Sequence, residues 1–536
     1  MKMMTTLALA LLLSLQLLRT ATAAAPTGDP DRGRALHVEG RLSDGQTLRA
    51  RRTDLSDMTG TAAACAQCHR RSGLGDQEGR LRVPPITAAS LFAPGKSTTV
   101  GRAAPGIEIA GTRVETRPAY TVESFTRALR AGIDPAGRTL APWMPRYDLD
   151  DAAVADLLAW LQQIGPVGGT QVRGLDGSTL HVATVITPDA PAARRAAVET
   201  TLTAWAAQQT FGTVRVALHV WSLTGAPTEW PAQLQRHLGA QPVHAVLSGA
   251  GAAQWAPVEA FCEAQRLPCL FPLIDRVPDA ASPRHHAVYL SEGPIAEARV
   301  AARALTNLSN PPTRLHLWYA SDLGQAAAAE FDAVLTRSES PEGAPRRPAL
   351  LTRDLRRQPV TPGEPMLASD DLVMGWLDTG QVRALFAHDV PALWLSAQMA
   401  PPESLDLPAA WRPTVRWASL HSTPDRFNAA AATGLRPWLR TLGLPMDGAT
   451  LQQGEVYAAA FFFTDALLRS RGAWSAEHLL ERLESGVNNR AAAGRYLRLS
   501  LGQGQRIAAQ TGQIQGYAPP GHRTLVPLSP VVNANR

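Results

Sequence analysis

The sequence predicts a multidomain chain: a small all-α domain first, then a larger α/β domain built as two lobes. Three observations predict it. Residues 121–131 and 150–163 carry apolar side chains at helical spacing, set among loops rich in Gly and Pro. A polar, Gly-rich run at 166–178 reads as a linker. From 179 onward strand and helix patterns alternate, and the rhythm restarts near 294. These place domains at 25–165 and 179–520, with a C-terminal tail at 521–536.

At 536 residues the chain is too long for one ordinary domain. A net charge of +6 is modest for that length and gives no sign of nucleic-acid binding. Lysine occurs only at positions 2 and 96, arginine replacing it elsewhere. Residues 1–23 read as a secretory signal peptide: Lys2 is the positive end, Leu7 to Leu18 the apolar run, and Ala21-Thr22-Ala23 the cleavage site. That run is too short to span a bilayer, and no later segment is long enough. A soluble, exported, periplasmic protein is expected, with no membrane span in the mature chain.

Cys65-Ala66-Gln67-Cys68-His69 is a C-x-x-C-H run. In an exported protein this is the attachment site of one covalent c-type haem. The two thiols, three positions apart on one helical turn, add to the haem vinyl groups, and the adjacent imidazole faces the iron. The alternatives are half of a zinc site or a redox dithiol. A zinc site needs two more ligands nearby, and residues 70–160 contain neither Cys nor His.

Around the motif, Gly33 to His37 starts a short helix and a long stretch, 41–60, intervenes. A Gly-rich loop at 71–75 and Val83-Pro-Pro-Ile86 follow. Thr121 caps a helix carrying Val122, Phe125 and Leu129. The last helix, 150–163, presents Val154, Leu157, Leu158 and Leu161 on one face, with Trp160 packing toward the N-terminal helix. Met144 stands between Pro142 and Pro145 and is the natural sixth iron ligand. Its soft thioether favours reduced iron and raises the potential. Met58 is the competing candidate.

With these residues the region resembles a class I c-type cytochrome. The carriers are Cys65-x-x-Cys68-His69, the Val-Pro-Pro-Ile stretch, and Trp-Met144-Pro-x-Tyr147 before Asp156-Leu-Leu-x-Trp160-Leu. The resemblance implies an all-α cytochrome c domain, Cys65 and Cys68 as thioether residues, His69 as proximal and Met144 as distal ligand of the haem iron. The insertion at 41–60 departs from the family. Arg70, Arg71, Arg80 and Arg82 crowd the motif and form either a docking face for an acidic redox partner or a solvated surface.

In the second region the strands are Leu180–Thr187, Thr213–Trp221, His244–Ser248, Cys269–Leu273 and His286–Ser291, with helices at 191–209, 230–238 and 252–265 between them. After the helix at 294–307 come strands at Leu315–Tyr319, Leu350, Leu372–Trp376, Ala392–Ser396 and Val415–Leu420. Helices follow near 424–442, 451–471 and 475–485. Two facing α/β lobes form a cleft beyond their strand ends. Cys262 and Cys269 are expected to form a local disulfide, the alternative being two buried thiols. His285-His286 opens a strand and reads as structural.

This order of elements, and Trp318-Tyr319-Ala-Ser-Asp322-x-Gly324, resemble a type I periplasmic solute-binding protein of the branched-chain amino acid group. The resemblance implies a two-lobed α/β periplasmic-binding-protein-like domain. After the third strand, Ser248-Gly-Ala-Gly-Ala-Ala253 offers alanines where hydroxyls would grip an amino-acid carboxylate. Ser248, Asp275, Tyr319 and Asp322 are the cleft candidates.

The expected function is one-electron transfer by a periplasmic monohaem cytochrome, a carrier rather than a catalyst. Its partner is a periplasmic dehydrogenase or terminal oxidase, and the two-lobed module binds a small molecule or docks that partner. The alternative is an ABC-transporter-type solute receptor with an accessory haem. A haem enzyme is a third reading: the single motif argues against a di-haem peroxidase, and the first domain has no spare cysteine for a cysteine-ligated sulfur-oxidising site.

Overall fold

A computed structural model of the chain describes residues 28–534 except 55, 79–80, 99–100, 105–106, 110–113, 166–171, 280–283, 338–347, 362–366, 389, 391, 446–449, 471, 490–494, 520 and 522, and except the side chains of 77–82, 96–115, 450 and 489. The expected signal peptide and the side chains of Arg80 and Arg82 lie outside the described residues. The chain divides into two compact units, 1–170 and 171–536. Among the described residues no helix is long and apolar enough to cross a membrane.

In the first unit Asp29 caps α1 (Pro30–Arg34) by accepting from the Asp31 and Arg32 amides, and a π-turn (Ala35–Glu39) continues it. Strands β1 (Arg49–Arg51) and β2 (Asp57–Thr59) come next, then α2 (Ala66–His69). Paired ribbons follow, β3 (Asp76–Glu78) with β4 (Leu81–Val83), beyond which α3 (Ala88–Leu91) leads to β5 (Gly95–Thr98), β6 (Gly101–Ala104), β7 (Ile107–Ile109) and β8 (Val114–Arg117). Helix α4 (Val122–Ala131) opens with a reciprocal Thr121–Ser124 capping box and stops at Gly132, whose φ is +70°. After β9 (Arg146–Tyr147) comes α5 (Asp151–Leu161), capped by Asp150.

Val154, Leu157, Leu158 and Leu161 of α5 are all buried, with Phe125 and Leu129 of α4 and Leu36. Asp156 on the opposite side holds α1: it accepts from the Asp29 amide at 2.6 Å and from Arg32 Nε at 2.9 Å. The all-α expectation needs correction here, because the unit is mixed. Residues 95–117 are rich in β-branched side chains, which favour strands, and in Gly, which disfavours helix. The insertion at 41–60 builds a three-stranded sheet in the order β2-β1-β9.

In the second unit the first lobe's sheet runs β12-β13-β11-β14-β15-β16, with β10 (Leu175–Asp176) paired to β11 (Thr179–Ile186). Its other strands are β12 (Thr210–Phe211), β13 (Val214–Ser222), β14 (Val246–Leu247), β15 (Cys269–Leu270) and β16 (Ala287–Val288). Helices α6 (Ala192–Gln208), α7 (Trp230–Ala240) and α8 (Ala256–Ala264) connect them. Apart from β10 and β12 the strands are parallel; β14, β15 and β16 are buried and β11 nearly so, whereas β13 is mostly half-buried or exposed.

Helix α9 (Pro294–Thr306) leads into the second lobe. There β17 (Arg314–Tyr319), α10 (Asp322–Arg337), β18 (Ala349–Asp354), β19 (Leu372–Trp376), α11 (Thr379–Ala384), β20 (Leu393–Ser396) and β21 (Val415–Ser419) build a parallel sheet. The chain then returns through α12 (Pro424–Thr433), α13 (Leu435–Thr441), α14 (Thr450–Arg469), which packs on α6, and α15 (Ala476–Asn489). It finally re-enters the second sheet as antiparallel β22 (Thr511–Tyr517), followed by β23 (Leu525–Pro527) and β24 (Val532–Asn533). The three crossing segments bond to one another: Tyr289 N to Arg506 O at 2.8 Å, Ser422 N to Arg495 O at 2.7 Å and Leu497 N to Leu420 O at 3.1 Å.

Candidate functional site

Cys65 and Cys68 stand one turn apart at α2, Cys65 buried and Cys68 exposed. His69 closes the turn, its amide donating to the Cys65 carbonyl at 2.9 Å. Its ring Nδ1 lies 2.8 Å from the Pro84 carbonyl oxygen. A proton there fixes the tautomer and leaves the Nε2 lone pair for a metal. The Gly-rich loop sets that distance. Gly75 has φ +73° and approaches so closely that a Cβ would lie 2.1 Å from the Val83 carbonyl oxygen. Buried His37 donates from Nε2 to the Arg70 carbonyl at 3.1 Å and pins the turn after the motif, a role that its sequence context did not announce. Arg70 itself is paired with Asp76.

Met144 lines the same cleft as His69, on a turn closed by its amide and the Ala141 carbonyl at 3.1 Å. The inserted sheet holds this turn. Ala50 pairs with Met58 on one side and Tyr147 on the other, and Thr53 Oγ1 donates to the Pro142 carbonyl at 3.0 Å. Met58 therefore lines the cleft as well. Phe125, Leu129, Leu157 and Leu161 supply apolar wall from α4 and α5, and the empty space measures about 900 Å³.

Burial pushes the Cys65 thiol up to about 12 and lowers His69, so the cleft holds a protonated thiol and a neutral imidazole. Two thiols one turn apart, an imidazole with one nitrogen already engaged, a thioether and apolar walls are the donor set a covalent haem needs. When bound, such a haem supplies a one-electron iron couple. The family comparison agrees with the geometry.

Residues 59–165 match the cytochrome c family model. The cytochrome c domain thus carries Cys65, Cys68, His69 and Met144 within the matched span. The chain is also similar to a possible leucine/isoleucine/valine-binding protein from Rhodopirellula baltica SH 1, at 14% identity over 67% of this chain and 98% of that one, TM-score 0.46. A periplasmic binding protein type 1 from Bordetella pertussis Tohama I matches at 12% identity over 66% and 100%, TM-score 0.46. A branched chain amino acid ABC transporter from Thermus thermophilus with bound valine matches at 11% over 67% and 97%, TM-score 0.48. No curated protein matches the chain. The second unit has two α/β lobes joined by three crossing segments.

The four cleft candidates of the second unit occupy different settings. Ser248 is fully buried, with φ +49° and an unpartnered Oγ. Asp275 accepts from Arg194 at 2.6 Å. Tyr319 is buried in the core, and Asp322 is exposed and paired with Arg356 at 2.5 Å. None lines a described pocket. A cavity with about 990 Å³ of empty space instead opens beyond β21, lined by Ser419, His421, Ser422, Phe427, Arg495 and Gln515 among others. Arg495 Nε lies 3.2 Å from His421 Nε2, and burial followed by the Arg495 charge holds His421 far below the usual imidazole range, hence neutral.

The expected Cys262–Cys269 disulfide is absent: both cysteines are free, buried thiols. Burial and then the hydrogen bond with Cys269 raise Cys262 well above the ordinary thiol value, which suppresses the thiolate that oxidation requires.

Proposed function

We propose that the protein is an exported monohaem electron carrier with one covalent haem on Cys65 and Cys68, and His69 and Met144 as axial ligands. The carrying observation is the cleft that His69 and Met144 share, with the free His69 nitrogen fixed by Pro84. Ligands on both faces leave no open iron position, so outer-sphere transfer is favoured over catalysis at the iron. Electrons pass from a periplasmic dehydrogenase to a terminal oxidase or another acceptor. The second unit binds a small solute or docks the partner. The cavity beyond β21 supports a solute with a polar end toward Ser419, Ser422 and Arg495 and an apolar part toward Phe427. This cavity also favours the second reading, a solute receptor with an accessory haem.

Oxidised and reduced visible spectra of the full chain test the ligation. Low-spin bands with a sulfur-to-iron band that Met144→Ala removes and Met58→Ala leaves are expected. A band that follows Met58 reassigns the ligand. A high-spin spectrum in the wild type overturns the carrier reading in favour of a haem enzyme.

A further inference from the structure

We propose that His285, His286 and Glu477 form a binding site for a divalent transition metal, zinc by its chemistry, in the first lobe of the second unit. The two histidines precede β16, and Glu477 lies in the first turn of α15. One ligand atom from each residue can be chosen so that all three lie within 4.8 Å of one another. His285 Nε2 is 2.6 Å from one Glu477 oxygen and His286 Nε2 is 3.6 Å from the other. Two tetrahedral ligands at zinc distances stand roughly 3.3 Å apart, so small adjustments seat an ion.

His286 is the decisive group. Its side chain is 4% exposed, and its Nε2 faces Glu477 at 3.6 Å, an ion-pair distance too long for a hydrogen bond. A buried ring nitrogen left unsatisfied is costly unless something occupies it. Nδ1 of the same ring sits 3.1 Å from Glu263, whose other oxygen accepts the backbone amides of 285, 286 and 287 at 2.9, 2.8 and 2.9 Å. A fixed carboxylate holding one nitrogen while the other points at a site is how metal-binding histidines are oriented.

Charge and access agree. Glu263 and Glu477 contribute two negative charges, while Arg506 is matched by Glu484 at 2.7 Å. The side chains of His285 and Glu477 are 13% and 19% exposed, which leaves a fourth position for water, as in two-histidine-one-glutamate zinc sites. Arg506 Nη2 lies 2.8 Å from His285 Nδ1, so without an ion His285 carries its proton on Nε2 and donates it to Glu477. When a metal binds Nε2 that proton moves to Nδ1, which can then no longer accept from Arg506, so Arg506 keeps Glu484 and releases His285. The ion then ties the entry to β16 to α15.

The test uses the tag-free full chain with its haem. Zinc titration by calorimetry is expected to give one site per chain, with affinity at least tenfold weaker in His286→Gln and Glu477→Gln and about 10–100-fold weaker in Glu263→Gln. X-ray absorption at the zinc edge of the wild type is expected to show two imidazoles and oxygen ligands, a readout that survives misfolded variants. No binding by the wild type, affinity unchanged in folded variants, or a shell containing sulfur or oxygen alone would overturn the assignment.

Discussion

Gly33→Ala puts a methyl group where α1 crosses α5. The added Cβ falls 1.9 Å from the Asp156 carbonyl oxygen, 2.6 Å from its carbon and 2.8 Å from Trp160 Cβ. Ordinary contact begins near 3.5 Å, so the helices must part by roughly 1.5 Å. Two of the three obstructing atoms are backbone, and no rotamer change relieves them. Overpacking of this kind costs about 1–3 kcal/mol. Alanine's helical advantage over glycine returns about 0.5–1 kcal/mol. Parting also stretches the bonds from Asp156 to the Asp29 amide and Arg32. The expected net loss is about 1–2 kcal/mol, read as a lower denaturant midpoint when unfolding is followed by haem absorbance, a probe confined to the first unit. Gly239→Ala is the control: nothing lies within 4 Å of its added Cβ, in the exposed last turn of α7, so that variant should be neutral or slightly more stable. A Gly33→Ala midpoint equal to or above the wild type would refute the close-packed crossing.

Burial pushes the Glu297 carboxyl up to about 7, so the folded chain holds a proton there that the unfolded chain releases near 4.5. Stability from this group is full below 4.5 and is lost as pH rises toward 7, by about 1.4 kcal/mol per unit at most; Glu297→Gln should flatten that slope in urea melts, and an equal slope in both proteins would exclude the group. Thr53→Ala removes the hydroxyl that holds the Pro142 carbonyl and costs about 0.5–1.5 kcal/mol; the sulfur-to-iron band should vanish at a lower temperature, and an unchanged loss temperature argues against the clamp. Thiol titration should find Cys262 and Cys269 unreactive in the native protein and both reactive after non-reducing denaturation; no reactive thiol after unfolding would restore the disulfide.

Periodicity made the helices legible because helical apolar faces declare themselves locally. The α5 stripe of Val154, Leu157, Leu158 and Leu161 and the Thr121 cap needed no distant partner to be read. The inserted sheet was illegible for the opposite reason: β1 has three residues and pairs across almost a hundred positions with Tyr147. Strand β22 escaped notice because its Gly- and Gln-rich run, Thr511 to Tyr517, lacks the apolar signature of its parallel neighbours. The helix expected at 424–442 divides at Gly434. In the second unit, Ser248, Asp275, Tyr319 and Asp322 were chosen from strand ends, but neighbours remote in sequence decide which ends open onto space. Arg495 reaches His421 across 74 positions, a juxtaposition no local pattern encodes.

The return of the chain into its second sheet governs the order in which the protein can mature. Residues 59–165 complete the cytochrome c domain before the second unit begins, so it can fold early as the chain emerges N-terminus first. The second unit has no such freedom. Strand β21 waits for β22, whose pairing partners lie about a hundred residues later, and α6 waits for α14 across some 250. Contacts of such separation form slowly. Truncation near the C-terminus should therefore spare haem loading while leaving both lobes unfinished, uncoupling the two halves of the molecule in biogenesis.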